Sequence, residues 1–244
     1  MSVSPVFSVV AQLVERLAGL LQPLFHASAA AAAIVLFTAL VRLLVHPLSR
    51  AAARGQRARA ELQPRIAELR RKYAEDPRRL QQAVLELHAE ERVSPLSGCL
   101  PGLLQMPAFF LLYHLFSSTT IGGAGNGLLA HRLFAAPLGG RWADALADGG
   151  VFGPAGLVYL GLFAVVAVVA AFNYRRAQRM TAENPVAAVG GGGERVPGLG
   201  AVTRAMPFLS FFTLVTVAVV PLAAALYVVT STAWSAVERA VLYR

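Results

Sequence analysis

Residues 40–50 read LVRLLVHPLSR and place an arginine inside the last turns of a long apolar run. The run begins near Ala27, and about 6 Å of helix separates Arg42 from His46. Two interpretations of this arginine follow. Its side chain extends to the lipid headgroups at the near face of a membrane, or it faces a water-filled cavity between helices, where an intramembrane charge marks a functional site.

The composition predicts an all-α integral membrane protein. Of the 244 residues 56% are apolar and 14% are charged, whereas soluble domains carry about 25% charged residues. The single cysteine, Cys99, and five scattered histidines predict neither a metal site nor a cofactor. The chain has no nucleotide-binding loop, no nucleophile motif and no paired intramembrane carboxylates, so we do not expect an enzyme.

Apolar segments of membrane-spanning length predict a five-span helical bundle. The last apolar stretch, 205–237, would form one helix of about 50 Å against a hydrocarbon core of about 30 Å, so Pro221 is expected to divide it. The predicted spans are 27–46, 96–117, 154–173, 205–220 and 221–237. Pro47 is expected to close the first span. Ahead of it, 1–26 is predicted to be an amphipathic helix in the membrane interface, or a plain lead-in to the first span.

Basic residues in the connecting segments predict the orientation. The segments 47–95, 174–204 and 238–244 hold 18 Arg and Lys residues, whereas 1–26 and 118–153 hold three. The positive-inside rule therefore puts the N-terminus and 118–153 outside the cell and the C-terminal tail in the cytosol. The glycine-rich segment 174–204 is expected to be a flexible cytosolic loop.

The segment 47–95 is predicted to be a cytosolic helical hairpin. Two apolar stripes at helical spacing flank the turn EDP at 75–77: Leu62, Ile66, Leu69 and Tyr73 before it, and Leu80, Val84 and Leu87 after it. The run RAAARGQRAR at 50–59 could be a nucleic-acid arm directed at ribosomal RNA. Membrane orientation explains the same arginines, and direct DNA binding is not expected.

Several stretches resemble the core of the YidC-type membrane protein insertases. They are VRLLVHPLSR, ELQPRIAELRRKY and PLSGCLPGLLQMP, in that order, followed by MPF and VPLAAALYVVTSTAW. The resemblance covers about 29–240. It implies a bacterial short form without a large extracytoplasmic domain, located in the plasma membrane, and it matches Arg42 to the family's groove arginine.

The resemblance implies an insertase and membrane chaperone. The spans of this family enclose a hydrophilic groove in the inner leaflet, open to the cytosol and to lipid and closed on the outer side. Newly made membrane proteins and membrane lipids are the implied partners, with the Sec translocon and the ribosome as further candidates. A small-solute or ion transport protein using the same groove is the alternative.

Polar side chains within the spans are the candidate groove lining. They are Arg42, Thr38, Gln105, Asn173, Ser210, Thr213, Thr216, Thr230, Ser231 and Thr232. Each hydroxyl could instead donate to the backbone of its own helix. The chain departs from the family pattern at Val228, where the family often has Trp, and at Thr232, where it usually has Asn. In the third span Asn173 and Tyr174 are alternative matches to the family's groove glutamine.

Overall fold

The computed structural model describes residues 4–91, 100–121, 124–183 and 211–242, and these residues are mostly helical. Their helices are α1 (Ser4–Phe25), α2 (Ala29–Lys72), α3 (Pro77–Glu90), α4 (Leu100–Ser117), α5 (Trp142–Ala147), α6 (Pro154–Glu183), α7 (Phe212–Val219) and α8 (Leu222–Leu242). Two antiparallel pairs of two-residue strands lie between α4 and α5: β1 (Thr120–Ile121) with β2 (Ala124–Gly125), and β3 (Arg132–Leu133) with β4 (Ala136–Pro137). The all-α fold class is confirmed.

Helix α8 lies at the centre of the bundle. Residues 220–229 are buried without interruption, which is typical of a helix surrounded on all sides. The helix contacts α2, α4, α6 and α7. Val220 adopts the extended conformation favoured before a proline, with φ −82° and ψ 158°, and α8 begins directly after Pro221. The break between α7 and α8 therefore lies at this proline.

Helix α1 folds back onto α2 through the short turn His26–Ser28. Val14 and Ala18 of α1 are buried in the hydrophobic core. Leu20 and Leu24, which are also apolar, remain about three-quarters exposed, at 76% and 75%. One apolar side of α1 is thus covered by the bundle and another is open. The placement of 1–26 in the membrane interface stays a prediction.

Helix α2 does not end at Pro47, contrary to expectation. It continues through Pro47 and Pro64 to Lys72. A proline removes the backbone hydrogen bond to the carbonyl four residues earlier, here that of Leu43. Both Leu43 and Pro47 are exposed, so the interruption lies on the outer side of α2 and not in the packed core. The alanine- and arginine-rich residues that follow are strong helix formers and continue the helix.

The end of α2 and helix α3 form two contacting arms joined by the turn 73–76. Asp76 caps α3, because its Oδ1 accepts a hydrogen bond from the backbone N–H of Arg79 at 3.0 Å. Leu62 and Ile66 are buried on the α2 arm. The side of the membrane on which these arms lie stays a prediction.

Helix α6 extends to Glu183, ten residues past the predicted end of the third span at 173. Residues 174–183 contain no Gly or Pro, and Gln178 Nε2 donates to the hydroxyl of Tyr174 at 2.7 Å, a one-turn pair that supports helix. The expected loop over 174–204 is therefore wrong for its first ten residues. The rest of that segment lies outside the described residues, as do 96–99 and 205–210 of the second and fourth predicted spans.

Two stretches of the described residues are long and apolar enough to cross a membrane, Phe7–Lys72 and Pro154–Gln178. Large apolar side chains are also exposed on the outside of the bundle, among them Leu44, Val168 and Phe212. Soluble monomers rarely expose extended apolar surface. This test of length and composition does not by itself yield five spans, and that count stays a prediction.

The segment 118–153 covers the N-terminal end of α8. The Gly140 carbonyl accepts hydrogen bonds from the backbone N–H of Leu222 at 2.9 Å and from the Tyr159 hydroxyl at 2.6 Å. The Leu138 carbonyl accepts the N–H of Ala223 at 2.9 Å. These first-turn amides have no partner within their own helix. Direct hydrogen bonds therefore attach this segment to the first turn of α8.

Candidate functional site

Arg42 belongs to α2, and its partly buried side chain extends toward α8. Its Nε donates to Ser231 Oγ at 3.0 Å, and its Nη2 donates to the same oxygen. Tyr227, one turn before Ser231 on α8, lies near enough to interact electrostatically with both. The Ser231 hydroxyl engages two of the five N–H donors of the guanidinium group. The contact therefore puts Arg42 on the side of α2 that faces α8.

The burial of neighbouring side chains along α2 also indicates that Arg42 lies on the side of the helix that faces α8. Thr38, one turn before Arg42, is 1% exposed, and Ser231 is 5% exposed. Tyrosines apart, they are the two polar side chains that are fully buried in the described part of the chain. Leu43 and Leu44, on the other side of α2, are 57% and 81% exposed.

A second polar contact joins the same two helices one turn further along α2. His46 Nδ1 donates to Glu238 Oε1 at 2.7 Å. The Glu238 side chain is 12% exposed and that of His46 is 33% exposed. We call these five residues, Arg42 and His46 of α2 with Tyr227, Ser231 and Glu238 of α8, the α2–α8 seam.

Three predicted groove hydroxyls donate to the backbone of their own helices. Thr38 donates to the Ile34 carbonyl at 2.7 Å, Thr216 to the Phe212 carbonyl at 3.3 Å, and Thr232 to the Val228 carbonyl at 2.9 Å. These hydroxyls are satisfied locally, as is common for Ser and Thr in helices. They are not hydrogen-bonded to Arg42.

The other predicted groove residues are distributed over four helices. Thr213 and Thr230 are partly buried on α7 and α8. Asn173 lies on α6, and its Oδ1 is buried without a hydrogen-bond partner among the described residues. Gln105 belongs to α4, but its side chain is outside the described part, and Ser210 lies wholly outside it.

The sequence profile of the 60Kd inner membrane protein family matches residues 21–244, which is most of the chain. The chain belongs to this family. The resemblance to YidC-type insertases is thereby confirmed, and with it the assignment to a family of inner membrane proteins.

Individual relatives match over shorter segments. The membrane protein insertase YidC of Clostridium perfringens is 46% identical over 87 residues, which are 36% of this chain and 37% of that protein. The YidC proteins of Polynucleobacter asymbioticus and Shewanella woodyi are 40% and 44% identical over 92 and 82 residues. These are 37% and 34% of this chain, but 16% and 15% of those proteins. The chain thus matches well under half the length of these relatives.

Sequence reasoning identified Arg42 and included Ser231 among the polar residues, but it missed Tyr227, His46 and Glu238. A signal for them exists. Arg42 and His46 are four residues apart, and Tyr227, Ser231 and Glu238 follow at intervals of four and seven. Both spacings keep residues on one face of a helix. Periodicity therefore groups these residues by helix, but it does not reveal that the two faces meet.

Proposed function

We propose that this protein is a membrane protein insertase and chaperone of the bacterial plasma membrane. It guides newly made membrane proteins from the cytosol into the bilayer through a hydrophilic groove that contains Arg42. The contact between Arg42 and Ser231 is the observation that carries this proposal. It directs a cationic group of an apolar helix toward the neighbouring helix and away from the exposed leucines of α2.

Family membership supports the same assignment. The matching relatives are named membrane protein insertases. In the proposed topology the five spans follow the predicted ranges, with the N-terminus outside, the arms of α2 and α3 in the cytosol, and the C-terminus in the cytosol. The distribution of Arg and Lys residues supports this orientation.

The proposed groove opens toward the cytosol and ends at the covered N-terminal end of α8. Its proposed lining is Arg42, Thr38, Gln105, Asn173, Ser210, Thr213, Thr216, Thr230 and Thr232. The hydrogen bonds from Leu222 and Tyr159 to Gly140 support closure on the outer side. The proposed hydrophilic groove shortens the apolar distance that a polar substrate tail must cross. Because the groove is closed on the outer side, it does not form a continuous pore.

Two forces then act on the substrate, first electrostatic attraction of its tail and then transfer of its apolar segment into lipid. Arg42 attracts an acidic or polar tail of the substrate into the groove, because opposite charges interact strongly where the dielectric constant is low. The apolar segment of the substrate moves into lipid, and each apolar residue contributes about 0.3–0.6 kcal/mol. For a span of about 20 residues the sum is roughly 6–12 kcal/mol. No nucleotide and no covalent step are required.

The cytosolic surface is the proposed meeting point with partners. Arg50, Arg54 and Arg57 of the basic run 50–59 are exposed on α2, and such a run suits contact with ribosomal RNA. Nascent membrane proteins are the proposed substrates, and the ribosome and the Sec translocon are the proposed assisting partners.

Reconstitution tests this function. The purified protein is placed in vesicles free of other translocation proteins, and a single-span substrate with a short acidic tail is synthesised outside them. Protection of the tail from added protease measures insertion. We expect protection well above that in protein-free vesicles, and a marked loss with Arg42→Ala at equal protein levels. Background-level protection together with protein-dependent flux of small ions or solutes would favour the transport alternative.

A further inference from the structure

The pair His46–Glu238 lies at one end of the α2–α8 seam. His46 Nδ1 donates to Glu238 Oε1 at 2.7 Å, and the Glu238 side chain is only 12% exposed. A carboxylate with so little access to water needs a hydrogen-bond donor or an opposite charge nearby. Among the described residues His46 supplies the hydrogen-bond donor for Glu238.

Glu238 also lies within the electrostatic reach of Arg42. Within the described chain, Glu238 attracts the Arg42 charge and Arg239 repels it. Even so, none of the described carboxylates forms an ion pair with Arg42, whose side chain donates to the uncharged Ser231 hydroxyl. Helical side chains lean toward the N-terminus of their helix. For Glu238 this is the direction of Ser231 and hence of Arg42.

We propose that His46 is a positioning residue that holds Glu238 away from Arg42 and so keeps the guanidinium group available for acidic substrate tails. This inference rests on the proposed insertase function. His46 does not itself bind the substrate. Its role is to prevent an internal carboxylate from occupying the site that a substrate carboxylate is meant to occupy.

The competition follows from elementary electrostatics. An arginine–carboxylate contact is charge-assisted and can be bidentate, so Arg42 offers Glu238 a stronger contact than the single hydrogen bond from His46. A carboxylate tethered two helical turns from Ser231 has an effective concentration in the millimolar range or above. A substrate tail must displace it. Removal of His46 is therefore expected to penalise substrates with acidic tails and to spare those with neutral tails.

The test uses the reconstituted full-length protein and two substrates that differ only in the tail, one with Asp and Glu residues and one with Asn and Gln at the same positions. The measured quantity is the ratio of protected acidic to protected neutral substrate. We expect His46→Ala to lower this ratio about threefold or more, and the double variant His46→Ala/Glu238→Gln to restore it. His88→Ala is the matched control, because His88 Nδ1 hydrogen-bonds to the Val84 carbonyl of its own helix at 2.7 Å.

The outcomes separate a positioning role from a structural one. An equal loss of both substrates with His46→Ala would assign His46 to stability alone and overturn the inference, as would an unchanged ratio or a failure of Glu238→Gln to rescue. If the His46→Ala protein cannot be reconstituted, the single variant Glu238→Gln decides. A ratio of protected acidic to protected neutral substrate at or above that of the wild type supports the inference, and a lower ratio contradicts it. A wild-type protein that inserts neither substrate would instead contradict the proposed function.

Discussion

Arg42 Nε donates to Ser231 Oγ at 3.0 Å, and this bond links α2 to the central helix α8. An intramembrane charge is tolerated where polar partners or water compensate it. Because a serine hydroxyl carries no charge, the contact orients the guanidinium group without neutralising it. The net positive charge is thus retained on the side of α2 that faces the bundle.

The first prediction concerns the charge of Arg42. Arg42→Lys is expected to retain more insertion of acidic-tail substrates than Arg42→Gln, because attraction of the tail depends mainly on charge. Protease protection in reconstituted vesicles measures the difference. Equal activity of the two variants would show that hydrogen bonding and not charge is required.

The second prediction concerns Ser231. Hydrogen bonds to charged groups contribute about 1.5–3 kcal/mol, so Ser231→Ala is expected to lower the thermal midpoint in detergent and to reduce insertion less than Arg42→Ala does. Ser235→Ala is the control, since Ser235 Oγ donates to the Ser231 carbonyl of its own helix at 2.9 Å. A Ser231→Ala protein as stable as the Ser235→Ala protein would argue against a contribution from the Arg42 contact.

The third prediction concerns the covered end of α8. Tyr159→Phe removes the hydroxyl that donates to Gly140 at 2.6 Å, and is expected to destabilise the protein by about 0.5–1.5 kcal/mol. Tyr113→Phe provides the comparison, because Tyr113 packs through its ring on Phe109 and its hydroxyl has no hydrogen bond to another described residue. The two midpoints are compared by thermal unfolding in detergent. Identical midpoints would contradict the assigned role of the Tyr159 hydroxyl.

The fourth prediction concerns topology. In a Cys99→Ser background, a cysteine at the exposed position Asp148 is expected to react with a membrane-impermeant maleimide added to intact cells. A cysteine at the exposed position Glu75 is expected to react only after the cells are opened. The reverse pattern, or labelling of both from outside, would refute the orientation derived from the basic residues.

The presence of a helix could be predicted from the sequence better than the residue at which the helix ends. The stripe containing Leu62 and Ile66 predicts the α2 arm because burial of one helical face depends on local spacing. The continuation of α2 through Pro47 was missed because a proline can kink a helix as well as end it, and spacing does not distinguish these two outcomes. The extension of α6 past Asn173 was missed because a drop in hydropathy ends a span but not a helix.

Which side chains contact each other in the candidate site depends on how α2 and α8, two helices far apart in sequence, are rotated and shifted relative to one another. Arg42 and Ser231 were both identifiable as polar residues in apolar surroundings. Their contact, and that of His46 with Glu238, required the packing of α2 on α8. Thr38 and Thr232 show the opposite case, since their hydroxyls are satisfied within their own helices, an alternative that the sequence had left open.

The most direct test of the insertase function is complementation in a bacterium depleted of its own insertase. The chain is expressed there, and membrane insertion of a substrate that depends on the insertase is followed by protease accessibility in spheroplasts. We predict that the wild-type chain restores growth and insertion and that Arg42→Ala, present at the same level, restores much less. A wild-type chain that accumulates normally in the membrane but restores neither would contradict the assignment.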